Sequence, residues 1–201
     1  MTRATTEQLS GLLHEAGIDD ATAAAVVEID ALLQNWRRRA LKRELGHRAL
    51  ADLRIGLDLA QLDVLFAIEG ATEEFGDQIG ETMVATVAER LAIDPSRASR
   101  LVAELVELGF ARRAVSQADA RRTIIVLTAR GSAVVNAVRA YKLLVMGDFL
   151  SGWDRAELAA FIPSLRRFGQ WTRDIEASAS RFEDEIAGLA ETIAAPQAEP
   201  A

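Results

Sequence analysis

One stretch, residues 93–128, constrains the fold of this chain more than any other. It opens with Asp94 and Pro95, a helix-capping residue followed by a proline at the first helical position, where a missing N–H costs nothing. Apolar side chains then recur every three or four residues until Gly109, which predicts an amphipathic helix that ends at this glycine. The recurring residues are Leu101, Val102, Leu105 and Leu108.

The remaining face of this predicted helix carries hydroxyl and guanidinium groups in its first two turns. These residues are Ser96, Arg97, Ser99 and Arg100. In the major groove of DNA, arginine can pair with guanine, and hydroxyl groups can reach bases or phosphates. The sequence therefore predicts a recognition helix with these four residues as candidate DNA contacts.

Two β-prone runs follow the helix, at 110–115 and 123–127, and a polar segment joins them. The arginines of this region are Arg112, Arg113, Arg121 and Arg122, which we also predict to contact DNA. A helix followed by a basic hairpin is typical of a winged helix-turn-helix. The helix of that motif reads the major groove, and its wing can place an arginine in the adjacent minor groove.

The net charge of the chain is −7 at pH 7, which taken alone argues against binding to nucleic acid. Residues 82–131, however, contain eight arginines and five carboxylates, which leaves this segment at +3 and the remainder at −10. A basic surface on an acidic body is still steered to DNA by its local field, with a strong dependence on salt. The charge distribution is therefore compatible with DNA binding.

The segment from about Leu57 to Trp171 resembles the multiple-antibiotic-resistance regulator (MarR) family of bacterial repressors. Three pieces carry the resemblance: VAERLAIDPSRASRLVAELVELGFARR, the wing pattern Asp119-Ala120-Arg121, and Leu127-Thr128 followed by Gly131. The resemblance implies a mainly α fold with a small β-hairpin wing and long flanking dimerisation helices. It also implies that Asp119 holds the wing arginine in place, with an ordinary turn former as the alternative.

The resemblance divides the chain into four parts. We expect N-terminal dimerisation helices at 1–56, the winged helix-turn-helix at 57–128, C-terminal dimerisation helices at 129–195, and a disordered tail at 196–201. In the family, the first and last helices of two subunits interlock as a twofold dimer, which would bind a near-palindromic operator with one recognition helix per half-site. The apolar stripes at both ends of this chain fit such a homodimer, or they pack within their own subunit.

Several element boundaries follow from local signals. Asp154 and Glu157 form a capping box for a helix in which Pro163 is expected to cause a kink or a split. Gly46 and Gly56 are expected to punctuate the chain before a buried helix at 59–68. A Gly-rich and acidic loop is expected at 70–81, without an assignable role.

The resemblance also implies a small organic effector, often an aromatic acid or its thioester, that releases the repressor from DNA. The family site lies where the dimerisation helices meet the winged domain. In this chain, Trp36, Arg39, Arg43 and His47 enter that junction and offer an aromatic wall with cationic partners. Trp36 also fits an apolar core stripe, and the basic run at 37–43 also fits a solvated helix end.

Other classes of protein find little support in the sequence. No apolar run approaches the ~20 residues that span a bilayer, and the start lacks the apolar core of a signal peptide, so we expect a cytoplasmic protein. There is no cysteine, and the two histidines, His14 and His47, have no ligand-like spacing. We therefore expect no enzymatic activity, no cofactor, no metal site and no thiol-based sensing. The alternative function is a winged-helix module for protein interaction, or an architectural role, without an effector.

Overall fold

The computed structural model describes residues 3–70, 80–172 and 175–194. The helices are α1 (Arg3–Glu15), α2 (Asp20–Lys42), α3 (Glu44–Asp52), α4 (Leu59–Glu69), α5 (Val84–Leu91), α6 (Pro95–Glu107), α7 (Ala129–Ser151), α8 (Arg155–Trp171), α9 (Ile175–Ala179) and α10 (Glu183–Ala194). Two strands, β1 (Ala111–Val115) and β2 (Thr123–Leu127), form an antiparallel hairpin. The predicted mainly α fold with a β-hairpin wing is confirmed.

The described chain forms two compact units. One contains the described residues up to 41 together with those from 152 onwards, and the other contains residues 42–151. The segment 57–128, where the sequence predicts a winged helix-turn-helix, lies inside the second unit together with α3 and α7. The predicted tail at 196–201 and most of the predicted loop at 70–81 lie outside the described residues.

Helix α4 forms the centre of the 42–151 unit because its sequence is apolar on all sides. Residues 64–68 are all buried in succession, as expected of a helix surrounded by other elements. The helix begins with a capping box in which the Asp58 carboxylate accepts the Gln61 N–H at 2.7 Å and the Gln61 side chain accepts the Asp58 N–H at 3.1 Å. Helices α5, α6 and α7 and strand β2 pack around α4.

Strand β2 is bonded on both sides, to β1 and to the segment before α5. The register of the hairpin places Ala111 opposite Leu127 and Val115 opposite Thr123. On its other side, β2 is tied to the segment before α5, because the Ile125 N–H donates to the Thr82 carbonyl at 2.7 Å. The hairpin is therefore attached to both ends of the helix-turn-helix.

The Leu-Thr-x-x-Gly pattern fixes where α7 leaves the hairpin. The Thr128 hydroxyl donates to the Gly109 carbonyl at 2.8 Å and accepts the Gly131 N–H at 3.1 Å. Gly131 is buried against the chain at Phe110, where a Cβ would lie 2.1 Å from the Phe110 carbonyl oxygen. The pattern is thus explained by packing as well as by helix capping.

One boundary expectation is wrong, and of the two effects expected at Pro163, a kink or a split, the split does not occur. Gly46 does not interrupt the chain but lies inside α3, where the absence of a side chain lets Leu59 approach; a Cβ on Gly46 would lie 2.9 Å from Leu59 Cδ2. The interruption falls at Arg43, which adopts a left-handed φ of 52° between α2 and α3. Pro163 does not split α8, since its surroundings are exposed and water can replace the missing backbone donor.

Among the described helices, none is long and apolar enough to cross a membrane. In the same part of the chain, no three His, Cys, Asp or Glu side chains come together as metal ligands do.

Candidate nucleic-acid interface

The predicted recognition helix is α6, and its capping is as the sequence predicts. The Asp94 carboxylate accepts the N–H groups of Ser96 at 2.8 Å and Arg97 at 3.3 Å. The Ser96 hydroxyl also donates to this carboxylate, and that bond is the main reason that the pKa of Asp94 lies below its usual range. Ser96 therefore serves the cap, and its hydroxyl is shared between the cap and any ligand.

The two faces of α6 separate as the amphipathic pattern requires. The buried residues are Ala98, Leu101, Val102 and Leu105, and the exposed candidates are Ser96, Arg97, Ser99 and Arg100. The structure thus brings all four candidate residues of the helix to its first two turns, facing solvent. Such a face is available to a groove of DNA without any rearrangement of the helix.

The four candidate arginines of the hairpin are also exposed. Arg112 and Arg113 lie on β1, and Arg121 and Arg122 lie in the turn that precedes β2. The two turn arginines differ in their surroundings. The Arg122 guanidinium donates to Met83 Sδ at 3.2 Å and thus lies against the start of α5. Among the described residues, no hydrogen-bond or ion-pair partner faces the Arg121 guanidinium.

Asp119 organises the turn through the backbone of Arg121. Its carboxylate accepts the Arg121 N–H at 3.0 Å, and its carbonyl accepts the Arg122 N–H at 2.9 Å. This is the geometry of an Asx turn, which fixes the backbone on which Arg121 stands. This contact fits both the predicted role of Asp119 in holding the wing arginine and the alternative, an ordinary turn former, since no described hydrogen bond joins the carboxylate to the Arg121 guanidinium.

The turn also has a buried centre at Ser116, which is only 4% exposed. Its hydroxyl oxygen accepts the N–H groups of Ala118 at 3.1 Å and Asp119 at 3.0 Å. The backbone N–H of Ser116 donates to the Arg122 carbonyl at 3.0 Å, which closes the loop. The tip of the wing is therefore a defined structure.

Glu81 connects this turn to the rest of the unit, a role that no pattern in the sequence indicated. The Glu81 carboxylate accepts the Gln117 N–H at 2.8 Å across 36 positions of sequence. The pKa of Glu81 lies below its usual range, mainly because the Ser116 hydroxyl hydrogen-bonds to it, then because of the Gln117 N–H, with a smaller effect from the charge of Arg122. Only the folding of the hairpin brings these groups together.

The candidate ligand residues are distributed over the junction between α2 and α3. Trp36 is 70% exposed on α2, and the side chain of Arg39 lies outside the part of the chain that the structure describes. Arg43 forms an ion pair with Asp63 of α4, a partner that the sequence did not indicate. His47 is exposed one helical turn after Arg43.

A cavity of about 230 Å³ lies where Arg43 meets the helix-turn-helix. Arg43, Asp63 and Arg97 supply its polar groups, and its apolar walls are Ala60, Leu91, Ile93 and Leu101. Arg97 thus belongs both to the exposed face of α6 and to this cavity. The cavity is large enough for a ring-sized molecule.

Comparison with known proteins identifies the domain. The MarR family profile matches residues 55–122. A MarR family protein from Bacillus stearothermophilus superposes with a TM-score of 0.61 at 17% identity, covering 75% of this chain and 96% of that one. RV1404 from Mycobacterium tuberculosis superposes with a TM-score of 0.56 at 23% identity, covering 73% and 92%.

A third solved structure, S. aureus MepR bound to ethidium bromide, has a TM-score of 0.51 at 18% identity and covers 68% of this chain and 94% of that one. No curated protein sequence is significantly similar to the chain. The solved structures show a shared fold, and the profile covers the helix-turn-helix and the turn of the hairpin. Residues 55–122 therefore match the MarR family, and the chain shares the winged helix-turn-helix fold of the solved MarR family structures.

Proposed function

We propose that this protein is a dimeric transcriptional repressor that leaves its operator when it binds a small organic ligand. The observation that carries DNA binding is the exposed face of α6, where two hydroxyl and two guanidinium groups stand beside a basic hairpin with a braced tip. Arginine on the helix and arginine on the wing suit the major and minor grooves respectively. A winged helix that bound only protein would have no need of both.

Dimer formation is supported by the apolar surface of the unit that contains α2 and α8. Of its described residues, only Ala23 is a buried hydrophobic residue. The large apolar residues exposed on these two helices are Val26, Ile29, Leu32, Trp36, Phe161, Ile162, Leu165 and Trp171. Covering each such side chain contributes about 1.5–3 kcal/mol, so a second copy of the chain is a strongly favoured partner for this surface.

DNA binding and dimerisation are tested together on the DNA upstream of the protein's own gene. We expect a shifted band in a gel-shift assay, a near-palindromic footprint with half-sites about one turn, ~10 bp, apart, and a dimer by analytical ultracentrifugation at micromolar concentration. A protein that stays monomeric both in solution and on DNA would contradict the dimer. Absence of any preference for this DNA over a random duplex would favour a protein-interaction module instead.

Ligand response is supported by the cavity beside the recognition helix. An aromatic carboxylate in this cavity would lie near the Arg43 and Arg97 guanidinium groups, and its binding would compete with any DNA contact of Arg97. MepR, which shares the fold, binds the aromatic compound ethidium. Phenolic acids, their thioesters and ethidium should therefore be screened by thermal shift, and each hit tested for release of the DNA complex. A compound that binds and leaves the DNA complex intact would refute induction by that compound.

A further inference from the structure

Three consecutive residues before α5 hold the hairpin, each through a different group. Glu81 accepts the Gln117 N–H through its carboxylate, Thr82 accepts the Ile125 N–H through its carbonyl, and Met83 contacts Arg122 through its sulfur. The Thr82 bond holds the middle of β2, whereas the Glu81 bond holds the turn itself. Glu81 is therefore the anchor of the part of the wing that carries Arg121.

Apart from the contact of Arg122 with Met83, the described bonds of the turn other than those of Glu81 are internal. Ser116 and Asp119 shape the turn by accepting backbone N–H groups within it. Internal bonds define the conformation of a turn but do not fix its direction relative to the helices. Glu81 supplies that direction, because it bonds the turn at Gln117 from outside the hairpin.

The two arginines of the turn have different relations to this anchor. Arg122 lines a groove together with Glu81 and Met83, and its charge contributes to the lowered pKa of Glu81. Arg121 follows directly after the segment that Glu81 and Ser116 hold, and its side chain is exposed. Fixing the turn thus fixes the point from which Arg121 extends.

We propose that Glu81 is the positioning residue of the wing, which aims Arg121 at the minor groove without contacting DNA itself. The proposal rests on the proposed DNA-binding function and deepens it. Glu81 increases affinity by reducing the freedom of the turn before binding, because a preordered contact loses less entropy when the complex forms. Its effect on binding passes through Arg121.

Simple electrostatics predicts the opposite effect of removing the Glu81 carboxylate on DNA affinity, so the proposal can be tested. Removing a carboxylate from a DNA-facing domain reduces repulsion from the phosphates and should strengthen binding. Glu89, an exposed carboxylate on α5 that lines the same groove, provides the matched control because none of the described hydrogen bonds joins it to the wing. Glu89→Ala and Glu81→Ala change the charge equally, but only Glu81→Ala releases the turn.

The experiment measures the affinity of the full chain for its own upstream duplex by fluorescence anisotropy at fixed salt. Glu81→Ala should weaken binding about tenfold, the size expected when one arginine contact is lost, whereas Glu89→Ala should bind equally or more tightly. Glu81→Gln keeps an acceptor for Gln117 and loses the charge, so its affinity should fall between those of Glu81→Ala and wild type. In the Arg121→Ala background, Glu81→Ala should cause no further loss, which is the signature of one shared contact.

Each result decides between the proposals. If the wild-type protein has no affinity for DNA, the proposed function and this inference are both wrong. If wild type binds and Glu81→Ala binds as tightly as Glu89→Ala, the inference alone is overturned. An equal loss from Glu81→Ala with and without Arg121 would also overturn it, because the effect would then be a general change in structure. Should Glu81→Ala unfold, Glu81→Gln in the same cycle gives the decision.

Discussion

Gly131 lies so close to Phe110 that a Cβ built on the glycine would be 2.1 Å from the Phe110 carbonyl oxygen. That oxygen also accepts the Thr128 N–H at 3.0 Å, so it cannot move without breaking the joint between the hairpin and α7. We expect Gly131→Ala to lower the free energy of unfolding by about 1–3 kcal/mol, the usual cost of overpacking. Urea unfolding followed by circular dichroism measures the change.

The control for this variant lies in the same helix. Nothing is within 4 Å of a Cβ built on Gly147, which lies inside the C-terminal half of α7. Gly147→Ala should therefore stabilise the helix by about 0.5–1 kcal/mol. Equal effects of the two substitutions would show that the close approach at Gly131 has been misjudged.

The two arginines of the wing turn should contribute unequally to DNA affinity. Arg121→Ala should weaken binding more than Arg122→Ala, because Arg121 extends freely while Arg122 lies against Met83. The loss for Arg121→Ala should also be larger on A·T-rich flanking sequence, where the minor groove is narrow and its potential more negative. Anisotropy titrations on operators with A·T and G·C flanks test this, and a greater loss for Arg122→Ala would reverse the assignment.

On the recognition helix, Arg100 is exposed in the second turn and is proposed to contact a base. Arg100→Ala should cost about 1–3 kcal/mol of binding free energy and relax specificity at one base-pair position. Arg166→Ala on α8 removes the same charge outside the winged unit and should leave base preference unchanged. Selection of bound sequences from a randomised operator reads both variants, and unchanged affinity for the Arg100→Ala, Arg121→Ala double variant would show that the docking is wrong.

The wing anchor should respond to acid. Hydrogen bonds from Ser116 and Gln117 lower the pKa of Glu81, so the folded state favours the ionised carboxylate. Its stabilisation is fully present above the ordinary glutamate pKa, about 4.3, and is lost as the pH falls through the lower folded-state pKa. The Gln117 amide resonance should therefore be constant from neutral pH to about pH 5, titrate below the ordinary value, and lose this titration in Glu81→Gln. A midpoint above the ordinary pKa would contradict the hydrogen-bonding scheme.

A hydrogen bond to an ion-paired carboxylate joins α3 to α7. The Tyr141 hydroxyl donates to Asp52 at 2.7 Å, and Arg48 Nε donates to the same oxygen at 3.0 Å. The pKa of Asp52 is lowered, first by Tyr141 and then by Arg48, and Asp52 in turn raises the pKa of Tyr141. Tyr141→Phe should therefore lower the urea midpoint without changing the m value, and a midpoint equal to that of wild type would show that the hydroxyl bond contributes nothing.

Local signals in the sequence predicted much of the winged helix. Asp94 before Pro95 placed the start of α6, and Gly109, with a φ of 77°, marks the turn beyond its end, as expected. The apolar spacing separated the buried face of α6 from its exposed candidate residues, and β2 was predicted with its observed bounds. These features depend on residues within one or two helical turns of each other, which is the range over which capping and periodicity act.

The contacts that the sequence did not indicate are long-range. Glu81 meets Gln117 across 36 positions, and Arg43 meets Asp63 across 20. A carboxylate in an acidic stretch has no local signature that distinguishes a structural acceptor from a solvated charge. The expectation that Gly46 interrupts the chain was wrong for the same reason. A glycine is needed there because Leu59 approaches it closely, and not because the backbone turns at that position.

The bracing of the hairpin by residues 81–83 has a consequence for operator geometry. These residues run directly into α5, which packs on α6, so hydrogen bonds and helix packing connect the wing tip to the recognition helix. The distance between these two contact points then sets the distance between the two DNA elements that they can contact together. Since one base pair advances the helix by about 3.4 Å and a tenth of a turn, we expect that inserting a single pair between the major-groove and minor-groove elements of a half-site moves one of them out of reach.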